Sequence, residues 1–203
     1  MPPVPMEGAV ALCRDLLRPL FESVGLADLL SGRMEVTDME GGPLVRLELR
    51  AHMLQPAKVD PIGSHWFRGW HGTHVAAAAS ILAQGRVEAI PPPVGTGLVF
   101  LRAAPWPRPW EVRRLIGDVW RSSFGFHGLA FELECATTAA HTAIRSGGHD
   151  AEWQASQQGR VTSCGKRWTF PPNMSGVVAL WVLLDRFRSL DVSQELRDAR
   201  VFG

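Results

Sequence analysis

Gly69-Trp70-His71-Gly72-Thr73 runs into the small-residue stretch Ala76-Ala77-Ala78-Ala79-Ser80, then Gly85, then Gly95-Thr96-Gly97-Leu98-Val99-Phe100. How this stretch is read decides the fold. Trp66 to His71 is predicted as a strand that ends in a polar His-Gly-Thr step. Thr73 has a hydroxyl suited to cap a helix over His74 to Ala83, and Gly85 is placed to end it. Five consecutive small residues let that helix lie close to a sheet. Leu98 to Leu101 then forms a short buried strand framed by glycine and carrying Phe100.

Working outward, Val10, Cys13, Leu17, Leu20 and Val24 recur at helical spacing between Glu7 and Leu30. Pro19 lacks an amide hydrogen, so the expectation is a kink or two short helices, with Ser31-Gly32 as the stop. Leu44 to Leu54 alternates polar and apolar positions as a half-buried strand does, with only Leu44 out of step. Glu111 to Trp120 reads as a helix or a loose connector. Phe126 to Cys135 alternates again, and puts Glu132 and Glu134 on one side. Polar, Gln-rich Ala151 to Gly165 reads as an exposed loop. Val177 to Leu184 is the clearest buried strand, and Asp191 to Arg200 suggests a surface helix. Strands separated by irregular loops, without repeats, indicate α+β. Residues 1-40 form an N-terminal helical element, and 41-203 the main domain.

The 203 residues, 46% hydrophobic and 20% charged, suffice for a proper core. A net charge of +1 argues against nucleic-acid binding driven by bulk electrostatics. Cys13, Cys135 and Cys164 are widely spaced, with no Cys-x-x-Cys pair. That pattern suggests neither a disulfide framework nor a zinc knuckle and favours an intracellular, reducing compartment. Met1-Pro-Pro-Val-Pro5 has no basic stretch, and Arg14 and Asp15 break the apolar run after Ala9, so no secretory leader is expected. The longest apolar run is far too short for a membrane span.

The chemistry centres on His71. An imidazole at a strand end can bond a ribose hydroxyl, and Gly72 admits a ligand close to the backbone. Thr73 and the helix N-terminus after it supply donors for a polar or phosphate group. His65, His71 and His74 lack a Cys or carboxylate to complete a zinc set, so no metal is expected. There is no nucleophile elbow. Gly95-Thr96-Gly97 precedes a strand rather than a helix, unlike a dinucleotide fingerprint. Glu132 and Glu134 read as a solvated face. Trp66, Trp70, Trp106, Trp110 and Trp168 provide either a stacking surface or packing.

The ordered set His71-Gly72-Thr73, Gly85, Gly97 and Phe100 resembles the start of the ADP-ribosyltransferase fold, as in the poly(ADP-ribose) polymerase catalytic domain. There, a His-Gly-Thr/Ser step and a Gly-x-Tyr/Phe strand hold the nicotinamide end of NAD. The resemblance spans roughly Leu44 to Asp185 and implies a split, twisted antiparallel sheet with flanking helices. It implies NAD as substrate, held by His71, Gly72, Thr73, Gly97, Phe100 and Trp168. The family's catalytic glutamate precedes a proline turn and a long apolar strand. Matching Trp168, Pro171-Pro172 and the strand from Ser175 puts Arg167 at that position, with the wrong sign to stabilise an oxocarbenium-like charge. The resemblance therefore implies either weak mono-transfer to a protein acceptor or a non-enzymatic domain reused within a larger assembly.

Overall fold

The computed structural model describes residues 4–39, 42–53, 64–88, 99–105, 107–121, 127–138, 150–154, 160–164, 167–170 and 175–201. Nine antiparallel strands run in the order β1-β2-β9-β5-β3-β4-β8-β7-β6. They are β1 (Met34–Met39), β2 (Gly42–Glu48), β3 (Ser64–Thr73), β4 (Val99–Pro105), β5 (Leu129–Thr138), β6 (Asp150–Gln154), β7 (Arg160–Cys164), β8 (Arg167–Phe170) and β9 (Ser175–Leu183). The helices are α1 (Ala9–Glu22), α2 (Val75–Gln84), α3 (Pro109–Trp120), α4 (Leu184–Phe187) and α5 (Val192–Val201). The chain is thus mixed α+β, an antiparallel sheet with flanking helices.

Period-two alternation sorts the central strands into two faces. One face carries Val45, Leu47, Phe67, Leu129, Phe131, Leu133, Leu180 and Val182 into the main core, together with Cys13, Leu17, Leu20 and Phe21 of α1 and Ala78, Ile81 and Leu82 of α2. Burial pushes the Cys13 thiol up to about 12 and raises that of Cys135, so neither is a nucleophile near neutral pH. The other face carries Leu44, Trp70, Ala130 and Leu183 against Leu115, Ile116, Val119 and Trp120 of α3. Leu44 is out of step with its neighbours because it serves this second core. Trp70 meets Trp181 edge to face, with ring centroids 6.3 Å apart. Among the described residues, the buried indole N–H groups of Trp70 and Trp120 find no acceptor. Each costs about 1–3 kcal/mol, less than the roughly 4–6 kcal/mol from burying an indole's surface.

Several expectations are corrected. Pro19 does not divide α1, because it lies in the last turn, where a single lost amide bond is tolerated. β2 ends at Glu48, and Arg50–His52 turn as a 3₁₀ segment instead. β1 carried no strong alternation and was not expected; it pairs with β2 from Met34 opposite Leu47 to Met39 opposite Gly42. The segment read as a loop from Ala151 to Gly165 contains the β6–β7 ladder, Asp150 opposite Cys164 to Gln154 opposite Arg160. Its hydrogen-bonding needs are met by pairing at the sheet edge, where a strand needs no apolar stripe. Of the two readings for Glu111 to Trp120, the helix holds: it is begun by Pro109 and by Glu111, which accepts from the Arg108 amide at 2.9 Å.

Candidate functional site

β3 is the central strand of the candidate site, and its two halves have different neighbours. Along its whole length it pairs with β5, from Ser64 opposite Thr138 to Thr73 opposite Leu129. On its other edge it pairs with β4 from Phe67 opposite Pro105 to Trp70 opposite Arg102. Among the described residues the β3–β4 ladder stops there. From Leu101 onward β4 pairs with β8, Leu101 opposite Trp168, Phe100 opposite Thr169 and Val99 opposite Phe170. Glycine permits the close approach just before the parting: a Cβ on Gly69 would lie 2.8 Å from the Cβ of Ala103. The strands therefore separate where His71-Gly72-Thr73 begins.

The predicted site residues fall around this split. His71 is partly buried, and Gly72 and Thr73 are buried. Phe100 and Trp168 lie on the neighbouring strands β4 and β8, one register position apart. Arg167 opens β8 opposite Cys164. Gly97 lies outside the described residues. Had β3 and β4 stayed paired, alternation would put positions 71 and 100 on opposite faces. A site shared by the two therefore depends on the divergence.

The end of β3 leads into α2 in a way the sequence reading missed. Thr73 does not cap the helix; it is 2% exposed, and its Oγ1 lies 3.4 Å from the His74 carbonyl oxygen. His74 is the cap, its Nδ1 accepting from the Ala77 amide at 3.3 Å. His127, 5% exposed, accepts from the Val75 amide through Nδ1 at 3.2 Å. The two rings meet edge to face, centroids 6.1 Å apart. Two of the donors expected to serve a phosphate at this helix start are thus already used by imidazoles. Burial lowers the His127 pKa, with Glu195 of α5 pulling up and His74 pushing down. Gly85 closes α2 in the left-handed conformation, φ 71°.

Glu132 and Glu134 are not a solvated face. Glu132 is 1% exposed and lies at the centre of an ion network on the α3 side of the sheet. Arg46 donates to it at 2.8 Å and Trp181 Nε1 at 2.7 Å, and Arg68 Nε lies 3.2 Å away. Glu134 receives both Nη groups of Arg50, at 2.8 and 2.7 Å, and Arg68 at 2.7 Å. Arg46 also donates to Glu48 at 2.8 Å. Burial pulls the Arg46 pKa down, but Glu132 and Glu48 outweigh it and the net shift is upward. For Glu134 burial pushes up, while Arg50 and Arg68 win and hold it below the usual carboxylate range. Three arginines and three glutamates balance, so these carboxylates are committed to the fold rather than available as acid or base. The sequence signal was the same-parity charge on β2, β3 and β5, legible only once their adjacency is known.

Of the stacking and packing readings, packing holds for Trp70, which is core; the side chains of Trp66, Trp106 and Trp168 lie outside the described residues. An open groove of about 480 Å³ between α1 and the turn Ala27–Ser31 is lined by Arg14, Arg18, Asp28 and Leu30. Arg14 there is already bonded to the Leu30 carbonyl at 2.9 Å. Among the described residues, no group of three or more His, Cys, Asp or Glu side chains is placed to hold a metal ion. No helix among them is long and apolar enough to cross a membrane. Compared with known proteins, the chain matches no family, no curated protein and no solved structure.

Proposed function

We propose that this chain is an ADP-ribosyltransferase-like domain that binds NAD where β3 and β4 part, with weak or lost transfer activity. The observation that carries this reading is that the β3–β4 ladder ends at Trp70, just before the His71-Gly72-Thr73 step. A sheet that divides there opens a slot beside the backbone of Gly72, which has no side chain to block a flat carboxamide. In this reading His71 orients the adenosine ribose, the Gly72 backbone reads the carboxamide, and Phe100, next in register to Trp168, stacks the nicotinamide. NAD supplies the reaction's bond to break, between ribose and nicotinamide, and the acceptor nucleophile comes from a partner protein. This chain's own part is to hold and orient. The sequence match that puts Arg167 at the family's carboxylate position supports weak or lost transfer within this reading.

A second reading, a non-enzymatic interaction domain, is favoured by the α2 start. Its Val75 and Ala77 amides are spent on His127 and His74 and offer nothing to a pyrophosphate. Two substitutions test the first reading. Phe100→Ala weakens binding of a non-hydrolysable NAD analogue by about 1–3 kcal/mol through lost stacking. Arg167→Glu raises NAD turnover. Unchanged affinity and unchanged turnover together would leave the interaction domain as the reading to pursue.

A further inference from the structure

α3 presents a face that the fold does not use. Leu115, Ile116, Val119 and Trp120 bury one side of the helix, and a period of 3.6 puts Trp110, Arg113, Arg114, Gly117 and Arg121 along the opposite side. Trp110 is 60% exposed, one of two exposed large hydrophobic side chains among the described residues. Arg113 and Arg114 are exposed, as is Arg108 immediately before the helix. Arg121 is 73% exposed, with its Nη1 3.7 Å from Asp118 Oδ1. Four guanidiniums and an indole thus line one helix, on a chain whose net charge is only +1.

Gly117 lies in the middle of this line. Glycine inside a helix is unfavourable relative to alanine, and among the described residues nothing requires it here. Its φ is not in the left-handed range, and an added Cβ would meet only Arg121 Nη1, at an ordinary 3.8 Å. A residue that weakens its helix without a packing reason, flanked by arginines and an exposed tryptophan, fits close approach by another backbone.

We infer that this face of α3 binds an acidic segment of a partner protein, whose carboxylates pair with Arg113, Arg114 and Arg121 and whose backbone passes over Gly117 beside Trp110. Arginine's planar fork matches carboxylates two bonds at a time, and Trp and Arg are the residues that dominate protein interfaces. Nucleic acid fits less well, because the chain as a whole, with a net charge of +1, has no strong positive field. A membrane surface fits less well too, because the helix's apolar side is buried in the core and leaves Trp110 alone to insert. The inference is independent of NAD binding.

The test is fluorescence anisotropy of the full chain with three probes at low salt. They are a labelled synthetic helix with Glu at i, i+3, i+7 and one Leu, a single-stranded oligonucleotide, and phosphatidylserine vesicles. The peptide binds in preference to the other two. Arg113→Glu with Arg114→Glu weakens it by at least about tenfold, as for interface anchors, and both variants keep their far-UV spectrum because the positions are exposed. Gly117→Ala moves two readouts in opposite directions: the melting temperature rises by about 2–4 °C while peptide affinity falls. A purely structural role would move only the first. Equal or tighter binding of oligonucleotide or vesicles, absence of peptide binding at about 1 mM, or Gly117→Ala with unchanged affinity overturns the inference.

Discussion

The two halves of β3 share one backbone and one neighbour, β5, yet have different surroundings. From Phe67 to Trp70 the strand is held on both edges, Arg68 is tied to Glu132 and Glu134, and Trp70 is packed under α3. From His71 to Thr73 no β4 pairing continues among the described residues, and the chain moves directly into a helix whose first amides are held by two imidazoles. The first half stabilises. The second, where the β3–β4 ladder has ended, carries the glycine and histidine of the proposed slot.

Substitutions in the paired half should cost stability and leave ligand binding alone. Glu132→Ala removes the shared acceptor of Arg46, Arg68 and Trp181. Breaking a buried pair costs about 3–5 kcal/mol, and the lower end applies because Arg46 keeps Glu48 and Arg68 keeps Glu134. Urea denaturation measures it, and a loss below about 1 kcal/mol would mean the network acts as an ordinary surface ion pair. Gly69→Ala forces a methyl group against Ala103 and should cost about 1–3 kcal/mol by overpacking. A neutral result would show that β4 is free to shift along the paired half as well, which would erase the contrast between the halves.

At the split half, pH is the sharper probe. The folded-state pKa of His127 lies below its unfolded value of 6.5, so the unfolded chain takes up the proton first. The stabilisation is complete above pH 6.5 and is lost as pH falls through the depressed folded value, with a slope of at most about 1.4 kcal/mol per pH unit. His127→Asn keeps an acceptor for the Val75 amide but does not titrate, so its stability should be flatter just below pH 6.5. Glu134, also depressed, acts in a separate window: its contribution stands above the usual carboxylate value of 4.5 and fades as pH falls through its lower folded pKa. A variant profile identical to wild type between pH 5 and 6.5 would contradict the role given to His127.

Alternation revealed β2 and β5 because each places one face in the main core, and β9, read as a buried run from Val177 to Leu184, needed no more than its length. β1, β6 and β7 escaped because strands at or near a sheet edge are stabilised by backbone pairing, which leaves little trace in side-chain periodicity. The ion network escaped for another reason: Arg46 and Glu132 are 86 positions apart, and no local pattern links them. Thr73 looked like the better cap by residue type, but it stays in the strand opposite Leu129, and the next residue, His74, takes the role. The polar step at His71 and the aromatic strand at Phe100 were legible in the residues; the resemblance implied a split sheet, but where the β3–β4 ladder ends was not legible, since that is a property of pairing.

The most direct test of the account is calorimetric titration of a non-hydrolysable NAD analogue into the wild-type chain and into His71→Ala. The account predicts saturable binding by the wild type that His71→Ala abolishes. Absence of heat at about 1 mM analogue, or equal binding by the two proteins, would contradict a nicotinamide slot at the parting of β3 and β4.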